Sequence, residues 1–354
     1  MKKNIPVLLF IVSMLFLTAC AGTHYHNTDP LYSQDIEKGS VLRQFSLNLQ
    51  LEDKILSLDP EHISEKDIKE ILSRAPAPRI INIHGGIYPV YLAMKSFSKF
   101  LIRMGYPEER IRNPKNGSYS YSCYEDSDKL AGFIAWYYEK EGMRPMIVGH
   151  SQGGIQTVKI LHVLSGSFGK SVFVRNPLTE EQEDRDTIID PLTGNERPVV
   201  GIQVSYATAV GAGGLTRLLP NQWNMFSKLR KIPDSVEEFT GFHMGLDIFG
   251  GDFMGFGSSN EYEPNGKAQV RNVELPASYS HVFVPFTQHL AKEKEMQDWI
   301  NNYVPTEKPV LNVTFESSST NILWAADVWH SIKKHWVLEL QRLIHAKRDT
   351  NNVR

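Results

Sequence analysis

The pentapeptide Gly149-His150-Ser151-Gln152-Gly153 places a serine between two glycines at the boundary of two predicted elements. The apolar run Met146-Ile147-Val148 before it predicts a buried strand, and the residues from Gly154 onward predict a helix. The glycines tolerate a sharp turn, so the Ser151 hydroxyl would stand exposed at the end of the strand, with a helix N-terminus behind it. A serine hydroxyl is a weak nucleophile, so this placement predicts chemistry only if the fold adds a base and oxyanion donors.

A second motif lies upstream, where the run Ile80-Ile81-Asn82-Ile83 leads into His84-Gly85-Gly86. Together with the pentapeptide in its strand-to-helix context, it resembles the α/β-hydrolase superfamily, in particular the lipase and esterase branch. The resemblance covers residues 79–303. It implies an α/β-hydrolase fold: a mostly parallel central sheet flanked by helices, with a cap insertion. The alternation of predicted strands and helices independently favours a parallel sheet.

The resemblance also implies roles for individual residues. Ser151 would be the nucleophile, and one oxyanion amide would belong to Gln152, the residue after it. The second oxyanion amide maps to Gly86, in the loop after an earlier strand. The alternative interpretation of His84-Gly85-Gly86 is a tight turn at a strand end. No metal or organic cofactor is implied, and no Cys/His grouping has zinc-ligand spacing.

The base must come later in the chain, because the family order is serine, acid, histidine. Seven histidines follow Ser151, and His281 lies directly after a predicted strand that ends near Leu275, where the family places its base. The alternative for His281 is a surface loop histidine. The other six fall on predicted helices or inside a predicted strand: His162, His243, His289, His330, His335 and His345.

The stretch Leu246–Asp252 offers two candidates for the acid. We prefer Asp252, which follows a glycine pair at a predicted strand end and from there could reach back to an imidazole. Asp247 is the alternative, although it lies inside an apolar run, where a buried charge is costly without a partner. The carboxylate would fix the tautomer of His281 and stabilise its cation.

Composition fits one large soluble α/β body. The chain has 354 residues, 41% of them hydrophobic and 22% charged, and its formal net charge of -2 gives no electrostatic reason to expect nucleic acid as a partner. Residues 46–354 are predicted to form the hydrolase domain. Within it we expect a hairpin insertion at about 170–197, a cap over the site at about 212–240, and a C-terminal strand-and-helix extension at 306–354. Trp324, Trp329 and Trp336 on the last helix are predicted to pack on the sheet rather than to contact a membrane.

The first nineteen residues have the pattern of a signal peptide, with Lys2-Lys3 before a short apolar core. Leu17-Thr18-Ala19-Cys20 resembles the lipobox of bacterial lipoproteins, which implies lipidation of Cys20. Ala21 after the cysteine then implies the outer membrane, and residues 20–45 would be a tether. The alternative is an ordinary secretory signal with a chance cysteine. Cys123 is the only other cysteine, so lipidation of Cys20 would leave it without a disulfide partner.

These features predict a lipid-anchored serine hydrolase of the bacterial cell envelope that acts on carboxylic esters, with an ester or lipid as substrate. Two alternatives remain open at this stage. One is a thioesterase or amidase that uses the same triad. The other is a non-catalytic envelope lipoprotein that keeps the fold for binding, since a fold by itself does not give activity.

Overall fold

A six-stranded parallel sheet lies at the centre of the protein, seen in a computed structural model that describes residues 40–213, 220–244, 247, 250 and 261–352. The strands in the described residues are β1 (Ile80–His84), β2 (Tyr121–Ser122), β3 (Met146–His150), β4 (Thr187–Ile189), β5 (Glu196–Pro198), β6 (Val204–Val210), β7 (Lys231–Pro233), β8 (Val236–Met244), β9 (Glu263–Asn265) and β10 (Gln269–Leu275). The central sheet has the order β10-β8-β6-β3-β1-β2, and each neighbouring pair is parallel. The prediction of a mostly parallel sheet is therefore confirmed.

Helices cover both faces of this sheet. They are α1 (Ser40–Gln44), α2 (Leu49–Leu56), α3 (Glu65–Glu70), α4 (Tyr88–Arg103), α5 (Ser127–Glu141), α6 (Gln152–Leu164), α7 (Lys294–Asn301) and α8 (Ile322–Asn352). Alternate strand residues point to opposite faces, so Met146 packs in one apolar cluster and Ile147 in the other. The first cluster includes residues of α4, α7 and α8, and the second includes residues of α5 and α6.

The ends of several helices follow local sequence signals. Ser64 and Asp67 form the capping box of α3, with reciprocal side-chain bonds to the two backbone amides. Asp126 caps α5, and Gly142 ends it in the left-handed conformation with φ 74°. The last two of these signals fix the ends of α5. This helix directly precedes β3, the strand that leads to Ser151.

The long C-terminal helix α8 packs against the sheet. Trp324, Trp329 and Trp336 are fully buried in the first apolar cluster. The indole of Trp329 donates to Asn301 at 2.8 Å, and the indole of Trp336 donates to the carbonyl of Pro76 at 2.9 Å. The three tryptophans are therefore core residues, as predicted. Among the described helices, none is both long enough and apolar enough to cross a membrane.

The region predicted as a cap, residues 212–240, differs from the expectation. The structure assigns residues 231–233 to β7, and β8 begins at Val236 and runs through the centre of the sheet. Glu238 lies in β8, and its carboxylate pairs with Lys334 and His335 of α8. Of the remaining cap residues, 214–219 lie outside the described residues, and Pro220–Met225 form a 3-10 helix.

Other boundaries also shift. The predicted tether, 20–45, extends too far, because α1 begins at Ser40 and Val41 and Phe45 are buried. Residues 1–39, with the lipidation candidate Cys20, lie outside the described residues. The C-terminal extension contains no strand between residues 306 and 321, a stretch that the structure describes throughout, and consists of a loop and α8. Within residues 170–197, β4 pairs with β5 in antiparallel register across a turn at 190–195.

Candidate active site

Ser151 forms a strained turn between β3 and α6. Its backbone has φ 58° and ψ -126°, a conformation that a residue with a Cβ rarely adopts. The Ser151 amide donates to the carbonyl of Val210 at 2.9 Å, which ties the turn to β6. A Cβ on Gly153 would collide with the carbonyl of Ile83, and one on Gly149 would collide with the Thr157 hydroxyl. The two flanking glycines are therefore required by the close approach of α6 to the sheet.

His281 supplies an imidazole to this serine. Its Nε2 lies 2.9 Å from the Ser151 Oγ, although 130 residues separate the two in the chain. The residue lies in the loop after β10, and its side chain is largely shielded from solvent. The geometry lets Nε2 accept the hydroxyl proton of Ser151, which is what general-base catalysis needs.

Asp247 holds the other nitrogen of the same imidazole. Its Oδ2 lies 2.6 Å from the His281 Nδ1, and its Oδ1 accepts from the amide of Gly250 at 2.7 Å. Asp247 is buried, with 7% of its surface exposed. The imidazole thus contacts the acid that the sequence analysis held as the alternative, while the preferred Asp252 lies outside the described residues.

Parallel strands bring the three side chains to one edge of the sheet. Ser151 follows β3, Asp247 follows β8 and His281 follows β10, and all three strands end at that edge. Gly211, at the end of β6, makes room for the contact, because a Cβ there would lie 2.8 Å from the His281 Nδ1 and 3.1 Å from the Asp247 Oδ2. Its φ of 60° also favours glycine.

The loop His84-Gly85-Gly86 lies against the serine turn. A Cβ on Gly85 would lie 2.9 Å from the Ser151 Cβ, and one on Gly86 would lie 3.0 Å from the Gln152 Oε1. In the part of the chain that the structure describes, neither the Gly86 nor the Gln152 amide donates to an acceptor. The loop therefore packs against the serine turn, with Gly85 next to Ser151 and Gly86 next to the Gln152 side chain.

Two buried histidines, His84 and His150, lie at the ends of β1 and β3. Burial lowers the pKa of His84 to about 4, and its Nδ1 lies 2.9 Å from the Ser120 hydroxyl. Burial also lowers the pKa of His150 to about 3, with the nearby His281 adding to the effect. The Nε2 of His150 lies 2.6 Å from the backbone carbonyl of His281. No sequence pattern assigned a role to His150, and only its place directly before Ser151 indicated that it lies near the site.

The remaining candidates lie elsewhere. His162, in the last turn of α6, contacts the backbone carbonyl of Lys228, and His330 and His335 of α8 pair with Glu61 and Glu238. Burial raises the pKa of the Cys123 thiol to about 12, so it stays protonated and is not a nucleophile at neutral pH. Within the described residues, no group of three or more His, Cys, Asp or Glu side chains could hold a metal ion.

Comparison with known proteins adds no assignment. No protein-family model matches the chain, and no curated protein matches it in sequence. The chemistry of the site therefore has to be argued from the arrangement of Ser151, His281, Asp247 and the loop at Gly86.

Proposed function

We propose that this protein has the α/β-hydrolase fold and is a serine hydrolase that cleaves carboxylic esters through an acyl-enzyme. The observation that carries the proposal is the hydrogen-bonded relay from Asp247 through His281 to Ser151, with contacts of 2.6 and 2.9 Å. A carboxylate, an imidazole and a hydroxyl in this order form the constellation that activates a serine. The strained backbone of Ser151 supports the proposal, because such strain is concentrated at functional sites.

The geometry supports a two-step reaction. In the first step, the His281 Nε2 takes the proton of Ser151 as the Oγ attacks the ester carbonyl, and the imidazolium then protonates the leaving alcohol. In the second step, His281 takes a proton from water as the water oxygen attacks the acyl carbonyl, and the imidazolium then returns this proton to the Ser151 Oγ as the acid is released. Asp247 keeps the Nδ1 proton directed toward itself and stabilises the imidazolium in both steps.

The Gly86 and Gln152 amides would bind the oxyanion of each tetrahedral intermediate. Gln152 directly follows Ser151, the loop of Gly86 packs against the same turn, and neither amide is engaged with another acceptor in the described residues. Loss of one such donor in a serine hydrolase costs about 3 kcal/mol of transition-state stabilisation. A thioester or an amide would pass through the same intermediates, so the relay by itself leaves the leaving group open.

The N-terminal sequence supports a location. We propose that Cys20 in Leu17-Thr18-Ala19-Cys20 carries the lipid anchor of a bacterial lipoprotein, and that Ala21 directs it to the outer membrane. This proposal rests on the sequence pattern. Its test is metabolic labelling with a palmitate analogue, where Cys20→Ser is expected to abolish incorporation and Cys123→Ser to leave it unchanged.

The decisive test of the hydrolase proposal combines a fluorophosphonate probe with turnover of short and long p-nitrophenyl esters. Wild-type protein is expected to react with the probe and to cleave at least one ester. Ser151→Ala should abolish labelling and lower kcat by about 10⁶-fold, because the nucleophile itself is removed. Ser165→Ala, at the end of α6, is the matched control and should leave both unchanged.

Two results would contradict the proposal. Labelling that persists in Ser151→Ala would place the reactive group elsewhere. Correctly folded wild-type protein that neither reacts with the probe nor cleaves an ester, thioester or amide would favour a non-catalytic envelope protein. A thioester cleaved far faster than the matched ester would keep Ser151 as the nucleophile and change the substrate class.

A further inference from the structure

We propose that His150 is a positioning residue that fixes the base His281 relative to the nucleophile; the catalytic part of this inference rests on the function proposed above. The contact that carries it joins the His150 Nε2 to the backbone carbonyl oxygen of His281 at 2.6 Å. The two rings lie 5.4 Å apart between centroids. His150 thus contacts the backbone of His281 and not the ring nitrogens that form the relay from Asp247 to Ser151.

The protonation state of His150 follows from its partner and its burial. A carbonyl oxygen can only accept a hydrogen bond, so the Nε2 of His150 must carry the hydrogen. The side chain has no exposed surface, and burial disfavours the charged ring. His150 is thus a neutral Nε2–H tautomer that donates to His281. Its Nδ1 is then an acceptor, and it is buried without a hydrogen-bond partner among the described residues.

That unpaired nitrogen argues against a role in packing alone. A phenylalanine would fill a similar volume at the end of β3 and would bring no unpaired ring nitrogen of its own into the interior. What the imidazole adds over an apolar ring is the donor at Nε2, and that donor is directed at His281. The specific contribution of His150 is therefore this one hydrogen bond.

The bond closes a short loop of contacts around the relay. His150 and Ser151 are adjacent in the chain; the first holds the backbone of His281, and the second meets its Nε2 at 2.9 Å. Other hydrogen bonds of the chain segment after β10 involve residues next to His281. The Val284 amide donates to the carbonyl of Ser280, and the Leu323 amide donates to the Tyr279 hydroxyl. The bond from His150 acts on His281 itself.

This arrangement makes the reactive distance depend on His150. The loop after β10 has to present the His281 Nε2 within hydrogen-bond range of an oxygen that lies on a different strand. A displacement of about 1 Å between such groups can lower a rate about 10²-fold. Without the bond from His150, the loop after β10 keeps its internal bonds, its contacts to α8 and the side-chain bonds of His281 to Asp247 and Ser151, but it loses the bond that joins the backbone of His281 to the end of β3.

The test compares three variants by kcat, KM and the concentration of probe-reactive sites. His150→Phe removes the donor and keeps the ring volume, and it should lower kcat by roughly 10- to 100-fold with an unchanged KM, because His150 does not touch substrate. His150→Gln places an amide N–H the same number of bonds from the Cβ and should recover most of kcat. His162→Phe is the matched control, since His162 is also buried and its Nε2 contacts the backbone carbonyl of Lys228 at 3.0 Å; it should leave kcat unchanged.

A crystal structure of the His150→Phe variant gives a readout that needs no turnover. The expected result is a distance from the His281 Nε2 to the Ser151 Oγ beyond hydrogen-bond range, about 3.2 Å. An unchanged distance of 2.9 Å would overturn the inference, whether or not an activity has been found. Wild-type kcat in His150→Phe would also overturn it and would leave the hydrolase proposal intact. If His162→Phe lost as much kcat as His150→Phe, the loss would reflect general destabilisation of the fold, and the inference would be overturned.

Discussion

Two buried aspartates in this protein are paired with nitrogen bases in similar ways and have different consequences. Asp247 contacts the Nδ1 of His281 at 2.6 Å, at the edge of the sheet where β8 and β10 end. Asp327, on α8, receives two hydrogen bonds from the guanidinium of Arg271 on β10, at 2.9 and 2.5 Å. Both carboxylates are largely or fully withdrawn from water, with 7% and 0% of the residue exposed. Burial and a close partner therefore do not by themselves define a catalytic carboxylate.

The partner makes the difference. A guanidinium stays protonated at any ordinary pH and takes both oxygens of Asp327, so that pair can only hold α8 on the sheet. An imidazole has two ring nitrogens, of which one can donate while the other accepts a proton, and the second nitrogen of His281 faces the Ser151 hydroxyl. The pair at the edge of the sheet can therefore move a proton, and the pair under α8 cannot.

The regions around Asp247 and Asp327 also differ. At the edge of the sheet where the parallel strands end, which we call the carboxyl edge, Ser151 has a strained backbone. A side chain would not fit at either of the two glycines that flank it. Under α8, Trp324, Trp329 and Trp336 fill the core completely. Strain is tolerated at the edge because the packed core on the other side of the strands fixes their positions. One region thus supplies the reactive geometry and the other supplies the rigidity that this geometry needs.

The sharpest test of the comparison is Asp247→Asn. The amide keeps the size of the side chain but removes the charge that fixes the His281 tautomer, so kcat should fall by about 10⁴-fold while the fold is retained. Steady-state kinetics on the best ester, with circular dichroism as the check on folding, measures this. Asp252→Asn is the matched variant and should change kcat little. A large loss in Asp252→Asn with a small one in Asp247→Asn would restore Asp252 as the acid.

The opposite outcome is expected for Asp327→Asn. Removing one partner of a buried ion pair leaves the Arg271 charge uncompensated, so the free energy of unfolding should drop by about 3–5 kcal/mol. The kcat per probe-titrated site should stay near the wild-type value, because Asp327 does not contact the relay. Urea denaturation and active-site titration measure the two quantities. Glu263→Gln, which breaks the exposed pair with Lys231, is the control and should cost less than about 1 kcal/mol.

A smaller effect is expected from the neutral histidine at the carboxyl edge. Burial lowers the pKa of His84 to about 4 from an ordinary value of 6.5, so the unfolded chain binds a proton there before the folded one does. Stability contributed by neutral His84 is therefore complete above about pH 6.5 and is lost as the pH falls toward 4, by about 3 kcal/mol. Urea denaturation from pH 7 to pH 4 measures it. His84→Asn should flatten this part of the pH dependence, and an unchanged slope would contradict the assignment.

How far the sequence could predict the site depended on how local each signal is. Ser151 was identified because glycines, a strand and a helix within a few residues of it define the turn. His281 was selected by its place after a predicted strand, and the structure brings it to the serine. The predicted cap at 212–240 included Glu238, which the structure places in β8. Its partners His335 and Lys334 lie about a hundred residues away, and no local sequence pattern indicates them.

The sequence by itself determined the strand-to-helix turn at Ser151, the alternation that makes a parallel sheet, and the burial of the tryptophans on α8. These depend on residue types over spans of a few residues. Only the tertiary structure decided that Asp247 contacts the imidazole and that His150 holds the backbone of His281. Both contacts join strands that are distant in the chain, so they depend on strand order and register, which are fixed by the packing of the whole sheet and not by any short pattern.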